Sequence, residues 1–513
     1  MTSPTIGSFP LREVVAAVAR SGNEAVEVLV LQPPSPPFMD VDREFTAGFG
    51  CAQAANRSTW GHSGLPFFNH SLAVTAGVLE QEGYKLRFAD AQAECWTEDV
   101  LIRLISDLRP RYLVTLVSLP SLAGDIALLR MIRERFPRTV VVASGPTCKT
   151  HAAELLSSDA ADYVVTGEAE TTVPELLDAL KDGQVPAAVN GLVFRNGTRM
   201  VATKQRGLPR DLDSLPTVPY HLLPMARYRG KYFGRGLPVA PIIGSKGCPY
   251  ECGYYCAYPL AYGRRVRFRS PERIVDEIEL LNRDYGVEHF IFRDQNFTYS
   301  QPHAERVCRL IIERGLKIHW VCETRMVLVR DGALLEVMKS AGCEQINYGL
   351  ETGDPDVFEG LAKPGTEFSV ITEAISLTKS AGIRAHAHAI VGLPGETWST
   401  VYNTARLLRG QDLDSVNFSF MVPIPGTRFH DDALAKGLIL TNDLAKYSHA
   451  EPVVRTETMS RFELKLAQLL LDTAFGGFSL RRSLSRKMGR WLGAVTVGVT
   501  DNRERKCGLG GAE

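Results

Sequence analysis

Apolar positions in the first part of the chain come in short runs separated by amphipathic stretches. Val26-Glu-Val-Leu-Val-Leu31 is an almost unbroken apolar run, as a strand covered on both faces requires, and Gln32-Pro-Pro-Ser-Pro-Pro37 stops it. Ser71 to Tyr84 has helical spacing, with Gly83 as its end signal. Strands are then predicted at Lys85–Asp90, Tyr112–Val117, Thr139–Ala143 and Tyr163–Val165. Helices fall between and after them at Val100–Leu108, Ile126–Phe136, Ala152–Leu156 and Val173–Leu180. Strict alternation with short connections predicts a doubly wound parallel sheet over residues 1–185. Residues 186–235 are rich in Pro and Arg and read as a surface linker.

A second alternating series begins at Pro238–Gly244. Strands follow at His289–Phe292, Lys317–Cys322, Gln345–Gly349, Arg384–Val391 and Ser415–Met421. Helices are expected at Pro271–Tyr285, Ala304–Gly315, Ala333–Ala341, Phe368–Ala381 and Thr397–Gly410. Ser270 before Pro271 is a good N-cap and first-turn pair. These βα steps predict a partial (βα)6 barrel over 236–430, with chemistry at the C-terminal ends of its strands. Residues 431–513 read as a C-terminal helical region, including a basic amphipathic stretch at 479–491. The fold class is therefore α/β: a Rossmann-like N-terminal sheet, a partial barrel and a helical end.

Composition narrows the function classes. With 45% hydrophobic and 23% charged residues, the 513-residue chain is ordinary globular material, which excludes disorder as its main state. Lys+Arg and Asp+Glu both number 58, which argues against a dedicated nucleic-acid binder. No apolar run is long enough for a membrane helix, and the opening MTSPTIGSFPLREVV lacks an export pattern, so a cytoplasmic location is expected. Ten cysteines are too sparse for a disulfide scaffold; in a reducing compartment they are metal ligands or buried apolar groups.

Three of them are clustered: Gly247-Cys248-Pro-Tyr-Glu-Cys252-Gly-Tyr-Tyr-Cys256. The loop follows the first barrel strand, where a barrel places its active site. Three thiolates in nine residues can wrap one inorganic cluster, whereas structural zinc needs a fourth ligand and the loop holds none. Cys51, Cys95, Cys148, Cys308, Cys322, Cys343 and Cys507 are scattered and read as core residues.

The cluster resembles the signature of radical S-adenosylmethionine (SAM) enzymes. Three cysteines there hold a [4Fe–4S] cluster, and SAM chelates the fourth iron. Later segments match in order: Phe292-Arg-Asp294-Gln-Asn296-Phe297, Asn347-Tyr-Gly349-Leu-Glu351, Gly392-Leu-Pro-Gly395-Glu396-Thr397 and Pro423-Ile-Pro-Gly-Thr427. Gly145-Pro-Thr and Asp162-Tyr-Val-Val-Thr-Gly167-Glu168-Ala-Glu170 resemble the cobalamin-binding-type domain that precedes many such barrels. No D-x-H-x-x-G is present, so no histidine ligand to a corrinoid is expected and cobalamin stays open. The spacing departs from the usual C-x3-C-x2-C: here it is C-x3-C-x3-C, which resembles the radical SAM diol dehydratases of aminoglycoside biosynthesis.

That resemblance implies removal of the 3′-hydroxyl of a pseudodisaccharide such as paromamine. A 5′-deoxyadenosyl radical would take hydrogen from C-4′, and loss of water would leave a 4′-ketone. It also implies a flavodoxin- or ferredoxin-type electron donor and a partner reductase. The metal ligands would be Cys248, Cys252 and Cys256. Tyr254, Asn296, Arg325, Glu351 and Gly392 would contact SAM or the cluster, and Asp294, Glu323 and His388 would handle substrate amines or protons. His386 and His388 share a strand face, and for either of them a satisfied core histidine is the reading weighed against catalysis. Tyr250, Tyr255, Tyr258 and Tyr262 surround the loop. Arg264, Arg265, Arg267 and Arg269 read as a solvated face or a donor-docking patch. A cobalamin-dependent radical SAM methyltransferase is the rival enzyme. A non-catalytic iron–sulfur or zinc protein is the rival of another class.

Overall fold

The computed structural model describes residues 25–36, 39–53, 67–232, 235–361 and 368–475. The N-terminal strands are β1 (Val28–Gln32), β2 (Asp40–Asp42), β3 (Cys51–Gln53), β4 (Leu86–Asp90), β5 (Tyr112–Leu116), β6 (Val140–Ser144), β7 (Tyr163–Val165), β8 (Leu192–Asn196) and β9 (Arg199–Ala202). Their main sheet runs β4-β1-β5-β6-β7-β8-β9, parallel through β7, with β8 and β9 added antiparallel. Alternation along β1 explains the double layer. Val28 and Val30 pack with the helices His70–Gln81 and Ala169–Lys181. Leu29 and Leu31 pack with Glu98–Leu108, Leu122–Arg135 and Cys148–Ser157.

The segment expected as a surface linker is instead packed. It supplies β8 and β9, and it buries Val218, Tyr220, Leu223 and Tyr228. The Tyr220 hydroxyl donates to Glu277 (2.6 Å) and the Tyr228 hydroxyl to Asp90 (2.8 Å). Its prolines mark turns between buried aromatic anchors, and it belongs to one apolar core that joins the N-terminal sheet to the barrel. A small β2–β3 hairpin, which the sequence pattern did not reveal, follows the proline run.

The second sheet comprises β10 (Arg229–Tyr232), β11 (Arg235–Ile242), β14 (His289–Phe292), β15 (His319–Thr324), β16 (Cys343–Glu351), β17 (Arg384–Val391) and β18 (Ser415–Phe420) in that order. The last six are parallel; β10 caps the edge antiparallel. The helix Pro271–Tyr285 starts as expected, with Ser270 accepting from the Arg273 amide. Beyond the barrel the chain is only partly helical. Arg428–Ala435 and Arg461–Phe475 are helices, but the stretch between them is irregular and pairs only at Ile439 and Val454. The basic stretch 479–491 and Cys507 lie outside the described residues. No described helix is long and apolar enough to cross a membrane.

Two short strands, β12 (Ser245–Lys246) and β13 (Arg267–Phe268), pair antiparallel and close the cysteine loop. The loop leaves β12 through Gly247 at φ +102°, and a Cβ there would sit 2.1 Å from the Arg265 carbonyl oxygen. Only glycine satisfies both the backbone and the space.

Four histidines (His70, His386, His388 and His449) lie in the interior, and burial pushes their pKa values down, that of His388 to about 4.

Gly247→Ala is therefore expected to destabilise the protein by about 3 kcal/mol or more. Gly286→Ala, at φ +64° with open space around its Cβ, should cost only about 1 kcal/mol. Urea denaturation of both variants checks the difference. A histidine held neutral in the fold contributes stability above its unfolded pKa and loses it as pH falls toward the folded value. Relative to His388→Gln, the native protein should lose roughly 1–2 kcal/mol between about pH 7 and pH 5. Melting curves at both pH values test this.

Candidate active site at the cysteine loop

The loop places Cys248, Cys252 and Cys256 at the C-terminal end of β11, and none is disulfide-bonded. Burial raises the Cys248 and Cys256 thiols, and Cys256 also feels the charges of Cys252 and Cys248. Among the described residues, no three His, Cys, Asp or Glu side chains gather as a single metal ion would require. Three soft sulfurs on one loop that sense one another can serve as the corners of an iron–sulfur cluster. Asn296 donates to the Cys248 sulfur at 3.7 Å, and the Arg325 guanidinium lies near that sulfur, 3.9 Å from the centre of the Tyr250 ring. Both were expected near the cofactors, and both abut the first thiol.

The remaining expected cofactor residues fall on two sides of the loop. The Tyr255 hydroxyl donates to Glu351, which senses Cys256 as well and sits at φ +65° where the β16–β17 register shifts. A side chain held in the left-handed region is locally strained and marks a position the surroundings over-determine. Tyr254 and Gly392 line a shallow pocket together with Phe429 and Asp432. The Tyr254 ring meets Phe429 edge-on at 5.9 Å.

The interior face of the barrel is polar along β16 and β17, whereas Val239, Ile291 and Val321 on the preceding strands form an apolar patch with Phe67. Ile346, Tyr348 and Leu350 of β16, and Ala385, Ala387 and Ala389 of β17, join the apolar core, so the alternate residues face inward. Glu323 pairs in register with Asn347, Asn347 with His386, and His388 with Gly349 and Asn417. Gly349 has no side chain to crowd His388. His386 Nδ1 also bonds the Ser415 hydroxyl at 2.7 Å. His388 stays uncharged near neutral pH.

Asp294 departs from expectation. Its two oxygens accept from the Gly244 amide (2.9 Å) and the Ser245 hydroxyl (2.5 Å), so it ties down the start of the cysteine loop rather than facing substrate. Glu323 stays open to the interior, raised by burial and drawn down by Arg293.

Sequence reasoning missed Glu44, Arg293 and Gln295. With Tyr258 and Tyr262 they line a small polar crevice between the N-terminal region and the barrel. Glu44 accepts from the Asn69 amide group (3.0 Å) and the His70 backbone (2.9 Å); burial pushes it up to about 7. Arg293 Nε and Gln295 Oε1 are buried without hydrogen-bond partners. An orphaned donor beside an orphaned acceptor fits a ligand edge with both functions, such as the amide-bearing rim of a corrinoid. The crevice at the sheet's switch point, between β1 and β5, is otherwise occupied: Arg43 pairs with Asp125 at 2.9 Å and bonds Ser121 at 3.1 Å. Only the unreadable proximity of residues far apart in sequence hid these groups.

The arginine series also differs. Arg264 and Arg265 are exposed, but Arg267 and Arg269 turn inward to Glu168 (2.6 Å) and Glu277 (2.5 Å). A spacing of two on an extended stretch puts them on one face, and that face is buried. Among the scattered cysteines, Cys51, Cys148, Cys308, Cys322 and Cys343 are buried as expected, while Cys95 is exposed.

Known proteins share this construction. Residues 242–408 match the radical SAM superfamily, and residues 61–177 match the B12 binding domain. An uncharacterized methyltransferase of Pyrococcus horikoshii is 29% identical over 84% of this chain and 91% of its own length. An anaerobic magnesium-protoporphyrin IX monomethyl ester cyclase of Cereibacter sphaeroides is 28% identical over 77% of this chain and 64% of its own. The cobalamin-dependent SAM radical enzyme OxsB, solved with aqua-cobalamin and SAM, has the same fold: TM-score 0.70 at 13% identity, covering 94% of this chain and 70% of that one. The chain thus joins a B12 binding domain to a radical SAM domain, the latter implying a [4Fe–4S] cluster and SAM as its cofactors.

Proposed function

We propose that the protein is a corrinoid-dependent radical SAM methyltransferase acting on a small organic molecule. The observation that carries this reading is the polar pocket between the two domains, where Arg293 and Gln295 hold buried groups without partners. Bound there, a corrinoid supplies a methyl carrier, and the cluster with SAM supplies one-electron cleavage of a sulfonium. The chain's own part is positioning. Three thiols anchor the cluster, Asn296 steadies the Cys248 sulfur, and the Tyr254–Gly392 pocket and Glu351 orient the nucleoside. Glu44, Arg293 and Gln295 meet the corrin rim, and Glu323, Asn347 and His388 face the substrate inside the barrel. The methyltransferase name of the Pyrococcus relative supports the reaction class.

A second reading is dehydration of an aminosugar diol. Two observations favour it: the extra residue between the second and third cysteines, and the Arg43–Asp125 pair that fills the switch-point crevice. Dehydration needs a proton acceptor and a donor beside the reacting carbon, and Glu323 and Glu44 are the buried acids available.

Anaerobic incubation with SAM, a strong reductant and a panel of aminosugars and other small molecules separates the two. Methyl transfer consumes two SAM molecules. It yields S-adenosylhomocysteine from the methyl donor, methionine and 5′-deoxyadenosine from the cleaved one, and a product heavier by a methylene, in protein that shows corrinoid absorbance. S-adenosylhomocysteine, not 5′-deoxyadenosine, is the discriminating by-product. Dehydration yields 5′-deoxyadenosine and a product lighter by water, and that outcome overturns the main reading. Glu323→Gln gives an independent check by kcat: less than roughly a tenfold loss is expected for methyl transfer, against about a hundredfold or more for dehydration.

A further inference from the structure

We infer that the N-terminal domain has a second task, independent of any corrinoid: through Glu168, Glu170 and Lys149 it holds the cysteine loop in place. The loop is gripped at three points. At its start, Glu170 in the first turn of the helix Ala169–Lys181 forms an ion pair with Lys246, two residues before Cys248. At its return, Glu168 takes Arg267 of β13 through two parallel bonds of 2.6 and 3.1 Å. At the far turn, Lys149 donates to the carbonyl oxygens of Leu260 (2.5 Å) and Ala261 (3.1 Å), in the last turn of the helix Tyr258–Tyr262.

The two acid–base pairs are deeply buried. Glu170, Lys246, Arg267 and Glu168 are 1, 4, 3 and 7% exposed. Each carries further bonds: the Ser71 hydroxyl donates to Glu170 (2.6 Å), and Arg267 donates to the carbonyls of Tyr262 (3.1 Å) and Pro209 (3.0 Å). Buried ion pairs add little net stability over apolar packing, since desolvation offsets the attraction. What they impose is register, because a buried charge tolerates only one partner position. Here that register fixes both ends of the segment bearing the three thiols. Glu168 and Glu170 face the hairpin, so the acidic pair that resembled a cofactor-domain motif is spent on the loop. These are positioning residues: they act through the loop.

The test uses full-length protein, reconstituted with iron and sulfide in the absence of corrinoid. The paired variant Glu170→Leu/Lys246→Met removes both charges together, so neither charge is left unpaired. Iron and sulfide content, melting temperature, the EPR spectrum of the dithionite-reduced cluster with and without SAM, and SAM affinity by equilibrium dialysis are measured. The expected result is a folded, iron-loaded protein whose EPR signal is altered or heterogeneous, with SAM binding weakened by about tenfold. Native EPR and native SAM affinity would overturn the inference, as would a defect that emerges only when corrinoid is added. Should the paired variant fail to fold, Lys149→Met, which alters one solvent-reachable contact, is judged by the same two readings. None of these readings depends on the product formed, so the outcome is separable from the methyl-transfer reading.

Discussion

Presentation of three thiols from one loop is the constraint on which the rest of the structure depends. A segment carrying one glycine and three tyrosines between its cysteines has only a single 3-10 turn, Glu251–Tyr254, of its own. Its geometry is imposed from its ends. The β12–β13 hairpin closes it, Gly247 lets it pass under the Arg265 carbonyl, Asp294 holds the strand end that feeds it, and buried charges of the N-terminal domain fasten both sides. The two domains thus share one apolar core and one functional loop, and neither arrangement stands without the other.

Around that loop the barrel reverses the usual economy of a protein interior. Its outward strand positions are apolar and packed under helices, while inward positions of β15, β16 and β17 carry Glu323, Asn347, His386 and His388. Burial then sets the chemistry. It keeps the histidines uncharged, lifts the carboxyl of Glu44 to about 7 and raises that of Glu323. Proton-holding groups near neutrality and neutral hydrogen-bonding groups suit a substrate that must be oriented while water is kept away.

Much of this was legible in the sequence because its signals are local. Nearly unbroken apolar runs located β1 and β6, Ser270-Pro271 located a helix start, and the cysteine spacing singled out the loop after β11. Residues 186–235 misled because their prolines and arginines look like solvated linker, although Leu192 and Phe194 of β8 and the scattered Leu212, Val218, Tyr220, Leu223 and Tyr228 are buried. The arginines at 267 and 269 misled in the same way: composition suggests a surface, whereas partners at 168 and 277 make them interior. Glu44 carried no signal, since only folding brings it to the end of β14; Arg293 and Gln295 stood inside the 292–297 motif, but the sequence did not show that they face this crevice. Asp294 was singled out correctly as important and given the wrong task, because a sequence does not show which hydrogen bonds a carboxylate has already made.

The central claim is that Cys248, Cys252 and Cys256 hold a cluster with one iron left for SAM. Electron–nuclear double resonance of the reduced protein with isotope-labelled SAM tests it most directly. The account predicts hyperfine coupling between the cluster and the amino nitrogen and carboxylate of SAM. A cluster whose fourth iron is coordinated by a protein side chain while SAM is present, or a protein that takes up no iron at all, would contradict it.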